Sequence, residues 1–262
     1  MYEYHNPEIK ILLCDYRENI NSWRHENVFN SWWYLYWNDS SGAIVETEKS
    51  TYCLEPDKFC LIAPETVFST RHKSSFNHFY IHFTTGAPFD QIKSRIYLFS
   101  SDETFLKQLK MLQYFSANPT KNMLQMSLLS HSVICSSLLR INFNELKSLK
   151  KPDARIGKAL ELLNRNLSSL QSNETLAENI GMSVNGFIRL FMNEVGTTPQ
   201  KYSRRKRIEK ASILLHFTDK KIDEIANETG FLDRYHFSRA FKEITNYSPA
   251  EFRKRSISCR QY

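Results

Sequence analysis

Two arginines, Arg189 and Arg239, stand 50 residues apart in matching surroundings. A guanidinium presents a planar fork of donors that can grip a guanine edge through two hydrogen bonds, worth ~1–3 kcal/mol of discrimination. At about 100° per residue, Asn185, Arg189 and Met192 share one helix face with Ile188 at its edge; Tyr235, Arg239 and Lys242 share another with Ser238 at its edge. Both faces carry hydrogen-bonding and cationic groups. Nearby, Arg204-Arg205-Lys206-Arg207 can reach phosphates, or can be a solvated helix face.

His72, His78 and His82 could supply imidazoles to a metal, and the last two, four apart on a strand, share a face. Metal sites of this kind usually present a His-x-His pair with a carboxylate and a further His; that pair is absent, and no metal or other cofactor is expected. Gly181 and Gly186 have a phosphate-loop spacing, but Phe187-Ile188 stands where Lys-Ser/Thr is required. No GxSxG elbow or HExxH pair occurs, and no catalytic residue is assigned. Trp23, Trp32, Trp33 and Trp37 cluster early in the chain. Rings such as Trp33 and Trp37 could stack on a sugar's C–H face while Arg24 and His25 bond its hydroxyls, or the tryptophans could be hydrophobic core.

The elements that position the two arginines form an internal repeat. Ala177 and Gly181 recur as Ala226 and Gly230; with one inserted residue, Phe187, Arg189, Phe191 and Pro199 recur as Phe237, Arg239, Phe241 and Pro249. In each copy a short helix, about 175–180 and about 222–228, ends at a Gly able to turn left-handed. A second helix follows, capped by Ser183 or Asp233. Its inner face is Phe187, Leu190 and Phe191 in one copy and Phe237, Ala240 and Phe241 in the other, six expected core residues. Helix, Gly turn and capped helix with a polar outer face is the helix-turn-helix, whose second helix enters the major groove. Thr198-Pro199 and Ser248-Pro249 each place a cap before a Pro at the first helical position. The helix opened by Pro199 runs to about 216, ~27 Å, and can space two reading helices near one DNA turn apart.

Before about residue 100 the period is 2. Trp33, Leu35 and Trp37 alternate with Trp32, Tyr34 and Tyr36, and Phe79, Ile81 and Phe83 alternate with His78, Tyr80 and His82, as in the strands of a β-sandwich. From about Asp102 the period nears 3.6: Phe105, Leu106, Leu109 and Leu112 mark one helix. Leu124, Leu128, Cys135 and Leu138 form a stripe on a second helix, with Leu129 and Val133 beside it. That stripe either covers the sheet or also meets a second copy. The expected organisation is therefore an α+β chain: strands over 1–100, packing and dimerising helices over 101–146, a linker over 147–153 containing Lys147, Lys150, Lys151 and Pro152, and an all-α domain over 154–262.

Charge divides along the same line. Residues 1–150 hold 15 Lys and Arg against 15 Asp and Glu, while the remaining 112 hold 20 against 13, so the whole formal charge of +7 lies in the C-terminal part. A basic domain beside a neutral one suits a polyanionic partner for one half alone. No stretch approaches the ~20 apolar residues of a membrane span, so no membrane association is expected. Five Cys without close CxxC pairs indicate neither a disulfide framework nor a zinc ribbon, and reduced thiols in a cytosol fit best.

The C-terminal residues resemble the AraC/XylS family of bacterial transcription regulators. The match runs through Ile222-Asp223-Glu224-Ile225-Ala226, Gly230-Phe231, Asp233, Phe237-Ser238-Arg239, Phe241-Lys242, Tyr247-Ser248-Pro249 and Phe252-Arg253, and in the first copy through Pro199, Tyr202, Arg207, Ala211 and Leu214-Leu215. It departs mainly at Asn246, where the family usually has Gly; Asn also tolerates left-handed geometry. The N-terminal half looks like that family's cupin-like arm, through Leu35 to Gly42, Tyr52 to Pro64 and Tyr80-Ile81-His82-Phe83. The resemblance implies a cytoplasmic activator, not an enzyme. Its implied partners are double-stranded DNA, a small effector such as a sugar, RNA polymerase and a second copy. By position it implies base reading by Asn185, Ile188 and Arg189 in the first helix and by Arg234, Tyr235, Ser238 and Arg239 in the second. Arg204, Arg205, Lys206 and Lys242 are the expected phosphate contacts. The alternatives are an architectural DNA binder with little base preference, or a metal-dependent cupin enzyme fused to a DNA-binding module.

Overall fold

Strand residues alternate between two environments, and β3 (Trp33–Asn38) with β8 (Phe76–Thr84) shows what each face of the larger N-terminal sheet meets. This is a computed structural model describing residues 7–146 and 153–260, apart from 87, 90, 91, 119, 166, 170 and 246. Most of the expected linker and Asn246 therefore lie outside the described residues. The chain divides into two compact units between Leu149 and Lys150.

The N-terminal unit also contains β1 (Lys10–Ile20), β2 (His25–Val28), β4 (Ala43–Glu46), β5 (Thr51–Leu54), β6 (Lys58–Ile62), β7 (Phe68–His72) and β9 (Ile96–Ser100). They form a five-stranded sheet, β1-β8-β3-β6-β9, and a four-stranded sheet, β2-β7-β4-β5, with antiparallel pairing in both. Leu35 lies opposite Ile81 and Leu61, Trp33 opposite Phe83, and Trp37 opposite both Phe79 and Phe59. This apolar face is covered by α1 (Glu103–Ser116) and α2 (Met123–Leu138): Leu109, Leu112, Val133 and Ile134 join the tryptophans in one buried cluster, and Phe59 stacks on Phe105 at 4.2 Å. Asp102 caps α1 by accepting from the Phe105 N–H at 2.8 Å.

The face of α2 turned inward differs from the expected stripe. Met126, Ser130, Val133, Ile134, Ser137 and Leu138 are buried, whereas Leu124 and Leu128 are 69% and 63% exposed and Cys135 is also exposed. Small Ser130 and Ser137 let the helix lie close to the sheet, and their hydroxyls are satisfied by Cys14 Sγ and the Val133 carbonyl. The side chains of Leu124 and Leu128 are left outside.

The C-terminal unit is helical: α3 (Ala154–Arg165), α4 (Asn173–Asn179), α5 (Val184–Val195), α6 (Pro199–Phe217), α7 (Ile222–Glu228), α8 (Arg234–Thr245) and α9 (Pro249–Arg260). Gly181 and Gly230, at φ 67° and 77°, make the two left-handed turns. Phe187, Phe191, Phe237, Ala240 and Phe241 are fully buried and Leu190 half-buried, each Phe contributing ~1.5–3 kcal/mol by leaving water. The two copies are thus built around matching aromatic pairs, Phe187–Phe191 at 5.6 Å and Phe237–Phe241 at 5.5 Å.

Candidate nucleic-acid interface

Each reading helix is held from below by its phenylalanines and from its start by a cap. Ser183 Oγ accepts from the Gly186 N–H at 3.3 Å, and Asp233 Oδ1 from the His236 N–H at 2.7 Å. Gly196, at φ 78°, ends α5 by donating its N–H to the Met192 carbonyl. With inner face, start and end set, the outer faces follow.

Asn185, Arg189 and Met192 are exposed on α5, and Arg234, Tyr235, Arg239 and Lys242 on α8, with Ser238 half-buried. Neither Arg189 nor Arg239 has an ion-pair partner among the described residues, so both guanidinium forks are available to a ligand. Arg234 instead approaches Asp223 of α7 at 3.5 Å, in an exposed pair. Ile188 is half-buried and packs against the core of the first copy, so its side chain is only partly presented outward.

The basic run on α6 divides into different roles. Arg205 is exposed, but Arg204 is joined to Glu243 of α8 at 2.6 Å, and Lys206 pairs with Glu209 at 3.1 Å beneath the Tyr202 ring. Arg204 and Lys206 thus each have a carboxylate partner within the unit, Arg204 across to α8 and Lys206 three residues along α6 itself. Arg207 is buried, donating to the Gly230 and Ser169 carbonyls at 3.1 Å each. Nothing in a bare run of four cations separated these roles; the helical phase against Tyr202 and Ala211 could have done so.

In the N-terminal unit the four residues grouped as an effector site are not brought together. Trp33 and Trp37 point to the helix-covered face, and their indole N–H groups donate to Thr85 Oγ1 at 3.1 Å and the Pro56 carbonyl at 3.0 Å. Arg24 is on the surface beside Glu26. His25 alone lies near the side between the sheets. That side carries residues the sequence reading passed over: Tyr34, opposite His82 and Ile62, and Tyr36, opposite Tyr80 and Cys60. Tyr34 meets Phe68 of the smaller sheet edge-on at 5.3 Å, Trp23 contacts Tyr36, Phe76 and His78 at 5.1–6.0 Å, and Asn30 bonds the Tyr34 hydroxyl. Strand alternation was the available signal, since tyrosines at 34 and 36 must face away from tryptophans at 33 and 37.

Burial pushes His78 down to about 3, with the nearby charge of His25 adding to the effect, and burial also lowers His25. His78 Nδ1 lies 2.7 Å from Asn38 Oδ1. It is a neutral, bonded core histidine, and no group of three or more His, Cys, Asp or Glu is placed to hold a metal ion among the described residues. No helix among them is long and apolar enough to cross a membrane.

A family model described as a helix-turn-helix domain matches residues 176–255. The HTH-type transcriptional activator RhaS of Enterobacter sp. (strain 638) is 34% identical over 109 residues, 42% of this chain and 39% of that protein. RhaS of Escherichia fergusonii is 32% identical over 109 residues, with the same shares. The match thus spans about two fifths of these relatives' length. Among solved structures, unsaturated fatty acid-bound wild-type ToxT from Vibrio cholerae strain SCE256 is similar over 97% of both chains, with a TM-score of 0.53 and 14% identity, a likeness of fold.

Proposed function

We propose, from the premise that the C-terminal unit is a member of the AraC/XylS family, that the chain is a cytoplasmic, sequence-specific DNA-binding transcription activator. The observation that carries this reading is the pair of capped helices, α5 and α8, each presenting an unpaired arginine outward from a buried aromatic base. Arg189 and Arg239 read guanines; Asn185, Tyr235, Ser238 and Arg234 add contacts beside them, and Ile188 adds at most an apolar touch on a thymine methyl. Arg205 and Lys242 meet phosphates. RNA polymerase is the protein partner that such an activator, a relative of the HTH-type transcriptional activator RhaS, requires.

The N-terminal unit is read as a cupin-like sensor that binds a small uncharged effector, sugars among the candidates, on the side lined by Trp23, Tyr34, Tyr36 and His82. Rings for stacking and neutral hydrogen-bonding groups occur together there. Exposed Leu124 and Leu128, with Tyr114 and Leu139, support a homodimer contact through α1 and α2.

Selection of bound sites from random duplexes at stated salt tests the reading. Two short preferred blocks about one helical turn apart are expected. Uniform binding of all sequences would leave an architectural binder instead. Replacing Leu124 and Leu128 together by Glu is expected to yield a monomer in sedimentation, and a panel of sugars and an unsaturated fatty acid should separate the effector classes by thermal shift.

A further inference from the structure

A guanidinium buried without a carboxylate is costly, so the bonds that hold it there must offset its desolvation. Arg207 is 4% exposed, in the middle of α6, and no acidic side chain pairs with it among the described residues. Its two terminal nitrogens go separate ways. One donates to the Gly230 carbonyl, in the turn of the second motif, and the other to the Ser169 carbonyl, in the segment that leads from α3 into the first motif, each at 3.1 Å. Its Nε is buried without a partner. The two bonded segments also touch directly: a Cβ placed on Gly230 would lie 2.4 Å from the Ser168 carbonyl oxygen.

Other ties join α6 to one motif at a time. Gln200 donates to the Gln171 carbonyl at 2.9 Å on the side of the first, and Arg204 pairs with Glu243 on the side of the second. Arg207 bonds both segments at once, with a rigid planar fork whose two arms fix both distance and angle.

We infer that Arg207 is a positioning residue that sets the separation and phase of α5 and α8, and so restricts the chain to one spacing between the two blocks of its DNA site. This rests on the two-headed reading proposed above. One added base pair turns the second block by about 35° and moves it ~3.4 Å along the duplex, enough to take a rigidly held second helix out of register. Loss of even one base contact then costs on the order of tenfold.

The test measures binding of the full-length chain to its selected site and to versions with one or two base pairs inserted or removed between the blocks. Wild type, Arg207→Met and Arg207→Lys are compared, with circular dichroism to check folding. Wild type is expected to lose roughly tenfold or more on a one-base-pair insertion. Arg207→Met should bind the native spacing more weakly and show an insertion penalty of less than about threefold, because the second helix can now shift to follow its block. Arg207→Lys keeps the charge and most of the packing but not the fork, and should fall between the two. It decides the matter if the Met variant does not fold. A folded variant as sharp in spacing as wild type, or weakened equally at every spacing, would overturn the role of Arg207. A wild type indifferent to spacing would overturn the two-headed reading itself.

Discussion

The two helix-turn-helix copies share a plan but differ in what they present and how tightly they are held. On α5 the outward residues are Asn185, Arg189 and Met192, and Ile188 is partly drawn into the core. On α8 the exposed set is Arg234, Tyr235, Arg239 and Lys242, preceded by Leu232 at 85% exposure. The second copy thus offers more polar and cationic groups to a groove than the first. The turns differ as well. A Cβ at Gly181 would meet nothing within 4 Å, whereas at Gly230 it would strike the Ser168 backbone. Repetition preserved the aromatic base of each motif, where volume must be filled, and left the outer faces and the turn contacts to diverge.

Replacing each turn glycine by alanine should break the symmetry most visibly. Both residues are left-handed, which costs an alanine ~1–2 kcal/mol. Gly181→Ala should lose about that much in denaturant unfolding and no more. Gly230→Ala must also push back a backbone carbonyl, and a loss of ~3 kcal/mol or more is expected, comparable with other severe steric insertions. Equal losses at the two sites would mean that the contact with Ser168 gives way freely.

The arginines sharpen the same comparison at the level of DNA. Arg239→Ala should cost ~1–3 kcal/mol at one base pair of the second block and flatten the preference there, with other positions unchanged. Arg189→Ala should do the same in the first block. Because the first helix has fewer polar neighbours to keep its block specific, the remaining preference there should be weaker than in the second. A uniform loss across all sequences, with a shallower salt slope, would make either arginine a phosphate contact.

Legibility along the chain followed how strongly local pattern constrains a side chain. The repeated Gly, Phe and Pro positions announced both motifs, since a left-handed turn, a buried ring and a helix start each admit few residue types. In the strands, alternation separated Trp33 and Trp37 from Tyr34 and Tyr36, but which face would meet the helices depended on Phe105, Leu109 and Val133, far along the chain. Grouping Arg24 and His25 with Trp33 and Trp37 by nearness in sequence therefore failed. Arg204 and Arg207 were harder to read for a related reason: their partners, Glu243, Gly230 and Ser169, lie 23 to 39 residues away, and a run of like charges taken without its helical phase carries no mark of which members fold inward.

The smallest expected asymmetry lies in the caps. Ser183 accepts from the Gly186 N–H at 3.3 Å, near the long end for such a bond, while Asp233 accepts from the His236 N–H at 2.7 Å and places a carboxylate at the positive end of α8. Removing a cap costs ~0.5–2 kcal/mol. Ser183→Ala should fall at the lower end of that range and Asp233→Ala at the upper end, because the second loses both a short bond and a favourable charge. Asp233→Asn separates the two contributions, since it keeps an acceptor and discards the charge. Its loss should be less than half that of Asp233→Ala and should shrink further in high salt, where the charge contribution is screened. If Asp233→Asn were as damaging as Asp233→Ala at every salt concentration, neither the retained acceptor nor a screened charge would account for the loss, and a difference in cap geometry between the two copies would no longer explain the result.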